Sequence, residues 1–185
     1  PEEQVIDIAI QIAMGLKAGL ELGLIHRDIK PGNIHFADER TAKIVDFGLA
    51  ILVEKQAEEQ GEVWATPYYV SPEKLDGQAE DFRSDMYSLA ATLFQALAGR
   101  PPFISESNSM AELRRIKSAP IRLLNFAPHV STPTAYAIDR AMSFKPADRF
   151  ASYDEFIQRL EYARAELRKT PVKSHRPKVR KMGDP

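Results

Sequence analysis

Apolar residues recur at helical spacing through the first part of the chain. The pattern predicts a mostly buried helix from Pro1, which is followed by two acidic residues, to about Leu22. Gly23 is expected to end it. The apolar positions that carry this prediction are Ile6, Ile10, Ala13, Met14, Leu16 and Leu20.

Two short apolar runs then flank a polar turn. Residues 34–36 and 42–45 are the runs, and residues 37–40, with the sequence A-D-E-R, form the turn. Short apolar runs separated by a polar turn are typical of a β-hairpin. The hairpin is expected to bring Asn33 beside Asp46, which follows its second strand.

The second half of the chain predicts further helices. One begins at Asp85 and is apolar nearly all round as far as Gly99, which is typical of a central helix. Three shorter helices are predicted after it: 109–117, 133–142 with Thr132 as its cap, and 153–168, which opens with a capping box at residues 152–155. The fold class expected from this pattern is mainly α with a small β-hairpin.

Composition narrows the class of protein. With 185 residues, 44% hydrophobic and 28% charged, the chain is expected to form one globular domain. The absence of cysteine excludes disulfides and thiolate metal sites. No apolar run is long enough for a membrane span, no signal peptide is visible, and no nucleic-acid partner is expected.

Charge is distributed unevenly although the net charge is only −1. Residues 170–185 contain five basic residues and one acidic residue, which leaves −5 on the remainder. The segment 169–185 is also rich in proline and has no apolar partner, so we expect a disordered linker there.

The candidate chemistry lies in residues 26–33, with the sequence H-R-D-I-K-P-G-N, and in 46–48, with the sequence D-F-G. Asp28, Lys30 and Asn33 stand at near-alternate positions of a loop broken by proline and glycine, so their side chains can converge on one point. Asp46 arrives from the hairpin. Two carboxylates, an amide oxygen and a cation suit a hard divalent metal that carries a phosphate.

These two motifs together resemble the catalytic and metal-binding loops of protein kinases, in the bacterial (Hanks-type) serine/threonine form. The resemblance implies that Asp28 orients or accepts the proton of the substrate hydroxyl and that Lys30 neutralises the γ-phosphate. It implies that Asn33 and Asp46 hold Mg²⁺ and, with Lys30, contact ATP. Lys30 two residues after the aspartate, together with Thr66, favours serine/threonine over tyrosine specificity.

The resemblance extends to the segments around these loops. Residues 46–73 resemble an activation segment, in which Thr66 would bridge Asp28 and Lys30. The closing Glu73 would pair with a buried Arg149. Other structural or regulatory positions implied are His26, Arg27, Phe47 and Gly48, and Asp85, which would hydrogen-bond the backbone of the catalytic loop from below or simply complement a helix dipole.

His35 departs from the family pattern, which usually places leucine there as the floor of the adenine pocket. Its ring is expected either to pack under the base in neutral form, which is the favoured alternative, or to protonate and weaken ATP binding as the pH falls.

Control of the activation segment also departs from the usual scheme. Between Gly48 and Trp64 there is no Ser, Thr or Tyr. Glu62, with Glu58 as second candidate, is therefore expected to supply a permanent negative charge that pairs with Arg27. The alternative is a solvated acidic loop.

The sequence lacks the three elements that clamp the nucleotide in kinases: a Gly-rich loop, a strand lysine and a helix glutamate. We therefore expect residues 1–168 to be the C-terminal lobe of a kinase in a longer protein, inactive alone. The expected parent is a signalling serine/threonine kinase that uses ATP and Mg²⁺, acts on protein Ser/Thr hydroxyls and is cytoplasmic, either free or as the cytoplasmic part of a membrane-anchored kinase. The alternatives are a catalytically weak kinase-like scaffold and a protein-interaction module.

Overall fold

The structure, a computed structural model, describes residues 1–47, 68–105 and 110–169, and of Met110 only the backbone. Its helices are α1 (Glu2–Glu21), α2 (Pro72–Leu75), α3 (Phe82–Ala98), α4 (Met110–Ser118), α5 (Thr132–Ala141) and α6 (Tyr153–Lys169). Its strands are β1 (Ile34–Phe36) and β2 (Ala42–Ile44), and 3₁₀ turns lie at Pro31–Asn33, Leu123–Asn125 and Pro146–Asp148.

Helix α3 runs through the centre of the molecule. Both α1 and α5 pack against it, and α6 covers α1 and α5. Most of its residues are buried, as the all-round apolar pattern predicted. It starts at Phe82, three residues before the predicted Asp85, because the Asp81 side chain caps it by accepting a hydrogen bond from the Arg83 N–H at 2.8 Å.

The predicted hairpin is confirmed as the antiparallel pair of β1 and β2. The structure further shows that it lies on α1. Gln11 of α1 holds it: its side chain accepts from the Ala42 N–H at 2.9 Å and donates to the Arg40 carbonyl at 2.8 Å. At the turn, the Asp38 carboxylate accepts from two backbone N–H groups, which lowers the pKa of Asp38.

Three local predictions need correction. The four-residue helix α2 was missed because it is too short to show a period. Ser131, not Thr132, caps α5 by accepting from the Thr134 N–H. At α6 the Ser152 hydroxyl accepts from the Glu155 N–H at 3.1 Å, but the Glu155 carboxylate accepts from the N–H of Ala151 at 2.8 Å, one residue before the expected partner.

Candidate functional site

The carboxylate of Asp28 is held from two directions. Lys30 Nζ lies 2.7 Å from Asp28 Oδ2, and Asn33 Nδ2 donates to the same oxygen at 3.0 Å. Asn33 Nδ2 also donates to the Asp28 carbonyl at 2.7 Å. The 3₁₀ turn that places Asn33 begins at Pro31, whose fixed φ suits the first position of such a turn. Oδ1 of Asp28 accepts no hydrogen bond from the described residues, so it can accept one from a ligand.

Asp85 supports this loop from α3. Its buried carboxylate accepts hydrogen bonds from the backbone N–H groups of His26 and Arg27, both at 2.7 Å. Burial raises the pKa of Asp85, although the two N–H donors oppose that shift. Arg27 adopts φ = 69°, a conformation that costs a non-glycine residue about 1–3 kcal/mol. The hydrogen bonds to Asp85 help to hold that conformation.

His26 connects the loop to the hairpin. It is fully buried, its Nε2 lies 2.7 Å from the Val45 carbonyl, and its Nδ1 lies 3.3 Å from the Asp28 N–H. Both contacts are satisfied when Nε2 carries the hydrogen, an assignment made from the hydrogen bonds. His26 therefore ties the backbone of Asp28 to the strand that leads to Asp46.

Asp46 lies next to Asn33 because the Val45 N–H donates to the Asn33 carbonyl at 3.0 Å. Its side chain is exposed, and its φ of 65° is a left-handed conformation of the kind that clusters at functional sites. The amide nitrogen of Asn33 is engaged by Asp28, which leaves its oxygen for a ligand.

The donors at this point fit Mg²⁺. An amide oxygen and an exposed carboxylate are hard oxygen ligands, and Mg²⁺ usually completes its shell with water and phosphate oxygens. Over residues 1–47, 68–105 and 110–169 no group of three or more His, Cys, Asp or Glu side chains could hold a metal alone.

Phe47 packs between the loop and α1. Its ring lies 4.9 Å from the His26 ring in an edge-on arrangement. A Cβ added to Gly19 would come within 2.6 Å of the Phe47 ring, so only glycine leaves room for the ring in its present place. The residue after Asp46 is thereby fixed against the core.

Glu73 and Arg149 form a buried ion pair below the site. Both carboxylate oxygens of Glu73 contact the guanidinium at 2.7 Å, and Ser84 Oγ donates to Glu73 Oε1 at 2.6 Å. The guanidinium also donates to three backbone carbonyls, those of Arg83, Ser143 and Phe144. The arrangement satisfies a buried pair that would otherwise be costly.

A small cavity joins the loop to the chain that precedes and includes α2. Asp28 and Lys30 line it together with Tyr69 and Val70. Lys74 also lines it and donates to the Arg27 carbonyl at 3.0 Å. Sequence reasoning missed Lys74, Tyr69 and Val70, because their contacts are with a loop about forty residues away.

Four residues that the sequence predicts for the site or its regulation lie outside the described part of the chain: Gly48, Glu58, Glu62 and Thr66. Nε of Arg27, the proposed partner of Glu62, is buried without a hydrogen-bond partner among the described residues. His35 is exposed on β1, opposite Lys43, and its role under a bound base stays a prediction.

Known proteins resemble this chain in sequence. A family model described as protein kinase domain matches residues 1–162. The chain is 35% identical over 180 residues to the serine/threonine-protein kinase drp72 of Corynebacterium efficiens, covering 97% of this chain and 34% of that protein. It is 36% identical over 151 residues to the serine/threonine-protein kinase PknK of Mycobacterium tuberculosis, covering 80% of this chain and 14% of that protein.

Its structure is similar to that of the Mycobacterium tuberculosis PknI kinase domain, with a TM-score of 0.66 and 27% identity. The match covers 88% of this chain and 56% of that domain, so this chain corresponds to about half of a solved kinase domain. It spans 14–34% of the two curated relatives named above. Within the described part of the chain, no helix has the length and apolarity of a membrane span.

Proposed function

This chain belongs to the protein kinase family, and on that premise we propose that the protein transfers the γ-phosphoryl group of ATP to serine or threonine hydroxyls of other proteins. The observation that carries the proposal is the orientation of Asp28. Its carboxylate is held at Oδ2 by Lys30 and Asn33, whereas Oδ1 accepts no hydrogen bond from the described residues and can receive an incoming hydroxyl.

The proposed reaction divides the work among these side chains. Asp28 accepts the hydrogen of the acceptor hydroxyl and takes its proton as the oxygen attacks phosphorus. Lys30, 2.7 Å from Asp28, lies where it can offset the charge that develops on the transferred phosphoryl group. The O–P bond to the acceptor forms and the bond to the leaving ADP oxygen breaks.

Asn33 and Asp46 are the proposed holders of Mg²⁺ with ATP. When bound, the metal neutralises phosphate charge and orients the nucleotide. The hydrogen bond from Val45 to Asn33 and the contact of Phe47 with His26 support this role for Asp46, and the two hydrogen bonds to Asp28 support it for Asn33. The sequence contains none of the motifs that clamp the nucleotide in kinases, and the proposed transfer is therefore to be tested with the full-length protein.

The proposal also covers binding partners, the cellular compartment, two further residues and the division of the chain. Protein substrates and ATP are the proposed partners, and the cytoplasm, which supplies ATP, is the proposed compartment. Thr66 is proposed to bridge Asp28 and Lys30, and Glu62 to pair with Arg27. Residues 1–168 are proposed as the C-terminal lobe and 169–185 as a linker.

The test incubates the full-length protein with γ-labelled ATP, Mg²⁺ and a generic acceptor protein. We expect label on serine and threonine and none on tyrosine, and we expect chelation of Mg²⁺ to abolish transfer. ATP binding without any transfer to several acceptors would favour the scaffold alternative over the enzyme.

A further inference from the structure

Lys117 of α4 is buried in a way that the proposed chemistry does not explain. It is the one buried lysine among the described residues, with 2% of its surface exposed. No carboxylate in the described part of the chain forms an ion pair with it. Burying an unpaired ammonium is costly, and an apolar side chain of similar length would avoid that cost.

The environment of Lys117 supplies other partners. Its Nζ lies 4.9 Å from the centre of the Phe103 ring and 5.4 Å from that of Tyr87, distances at which an aromatic face attracts a cation. It donates a hydrogen bond to the backbone carbonyl of Tyr68 at 3.3 Å. The ammonium is thus aimed at one backbone atom of the stretch that leads into α2.

A second residue of α4 holds the other end of this stretch. Arg114 Nε lies 2.7 Å from Asp76 Oδ1, and its guanidinium also donates to the Leu75 carbonyl. Arg114 and Lys117 are three positions apart and so lie on the same side of the helix. Helix α4 therefore contacts residues 68–76 at both ends.

The stretch held in this way forms one wall of the candidate site. Tyr69 and Val70, directly after Tyr68, line the small cavity that Asp28 and Lys30 also line. An acceptor hydroxyl that reaches Asp28 Oδ1 must come with the chain that carries it, and that chain lies against whatever borders the cavity. We therefore expect the position of Tyr68 to affect acceptor binding more than nucleotide binding.

We propose that Lys117 is a positioning residue for the protein substrate, which acts by holding the Tyr68 carbonyl and with it the wall formed by Tyr69 and Val70. The inference rests on the proposed function. Removal of Lys117 should weaken acceptor binding because this wall loosens, but it should not destabilise the fold because a buried charge is removed. A purely structural residue would affect both properties in the same direction.

The test compares the full-length protein with its Lys117→Met variant, and uses Arg115→Met, an exposed position on the same helix, as the matched control. We expect Lys117→Met to raise the KM for an acceptor peptide by about fivefold to tenfold, the equivalent of one hydrogen bond, with the KM for ATP unchanged. Arg115→Met should change neither constant. A KM for the acceptor within about twofold of the parent value would overturn the inference.

A second measurement does not need catalysis. We expect the backbone amides of residues 68–70 to exchange with solvent about tenfold faster in Lys117→Met than in the parent protein, while amides of α3 keep their rates. Unchanged exchange at residues 68–70 would overturn the inference. If the full-length protein transferred no phosphate, the proposed function and the substrate role of Lys117 would both fail, and this measurement would still decide whether Lys117 holds the Tyr68 carbonyl.

Discussion

Glu73 and Arg149 meet in a bidentate ion pair, with Oε1 to Nη1 and Oε2 to Nη2 both 2.7 Å apart. Seventy-six positions separate them in the chain, so the pair joins the start of α2 to the turn before α6. Burial by itself would raise the pKa of Glu73, but the hydrogen bonds and charge of Arg149 outweigh it, and the pKa of Glu73 lies below its usual value.

Replacing Arg149 with methionine should therefore destabilise the protein strongly, since Glu73 would stay buried without its counter-charge. We expect a loss of about 3–5 kcal/mol in the free energy of unfolding, measured with urea. Arg168→Met, which breaks an exposed pair with Glu3, is the control and should destabilise the protein far less, because an exposed pair is screened by solvent. Equal effects of the two substitutions would show that burial does not determine the contribution of the pair.

The pair also predicts sensitivity to acid. Because the pKa of Glu73 is lower in the folded state, the unfolded chain takes up the proton first as pH falls. The stabilisation is fully present above the unfolded pKa of about 4.3 and is lost as pH falls through the folded value. Urea unfolding of the parent and of Glu73→Gln should show a difference in stability that shrinks over this window, and a constant difference would contradict the prediction.

Asp28→Asn tests the proposed catalytic group. The amide keeps the size of the side chain but cannot accept the hydroxyl proton, so we expect the rate of phosphoryl transfer by the full-length protein to fall by about 10²–10⁴-fold. ATP affinity should stay close to that of the parent. Asp148→Asn, at an exposed position in a 3₁₀ turn, controls for loss of one negative charge. A rate within about threefold of the parent would remove Asp28 from the mechanism.

Gly19 and Gly15 of α1 allow a matched test of how closely the Phe47 ring is packed against the helix. A Cβ at Gly15 would meet Ile44 at 3.5 Å, an ordinary contact, whereas one at Gly19 would meet the Phe47 ring at 2.6 Å. Gly15→Ala should raise the unfolding free energy by about 0.5–1 kcal/mol through helix propensity alone.

Gly19→Ala should show little or no such gain because the Phe47 ring must move. The displaced ring should also disturb Asp46, so we expect weaker Mg²⁺-dependent ATP binding by the full-length protein, measured by calorimetry. Gly15→Ala should bind ATP as the parent does. Equal stabilisation and equal ATP binding in the two variants would show that Phe47 shifts at no cost.

The burial of Lys117 predicts that the parent protein and its Lys117→Met variant differ in stability by an amount that depends on pH. Burial lowers the pKa of Lys117 to about 7, well below the value of about 10.4 expected in the unfolded chain. The unfolded state therefore binds more protons between these two values, and the stability of the parent rises with pH across that window. The groups around Lys117 include Tyr87, whose pKa burial raises, Arg149, which stacks on the same ring, and Tyr68.

Lys117→Met has no proton to lose at this position. We expect the variant to be more stable than the parent at pH 6 and the difference to shrink steadily towards pH 9.5, as measured by urea unfolding across the range. Arg115→Met should follow the parent at every pH. If the difference in stability grew with pH instead, the pKa of Lys117 would not be lowered in the folded state and the prediction would be wrong.

Local patterns determined much of the fold from the sequence. Helix α1, the hairpin and the α6 start were predicted close to their observed bounds because each depends on spacing within a few residues. Family motifs in the sequence further identified Asp28, Asn33 and Asp46 as site candidates, since the residue types and their order are themselves the signal.

Tertiary structure alone decided the features that depend on packing. The start of α3 at Phe82, the left-handed backbone of Arg27 and the room that Gly19 leaves for Phe47 each depend on residues far along the chain. The burial of Lys117 beneath Tyr68 could not be read from a lysine on an amphipathic helix, because lysine at such a position is usually solvated. Periodicity shows which face of a helix is apolar, but only the packed structure shows which polar group is enclosed there and what it holds.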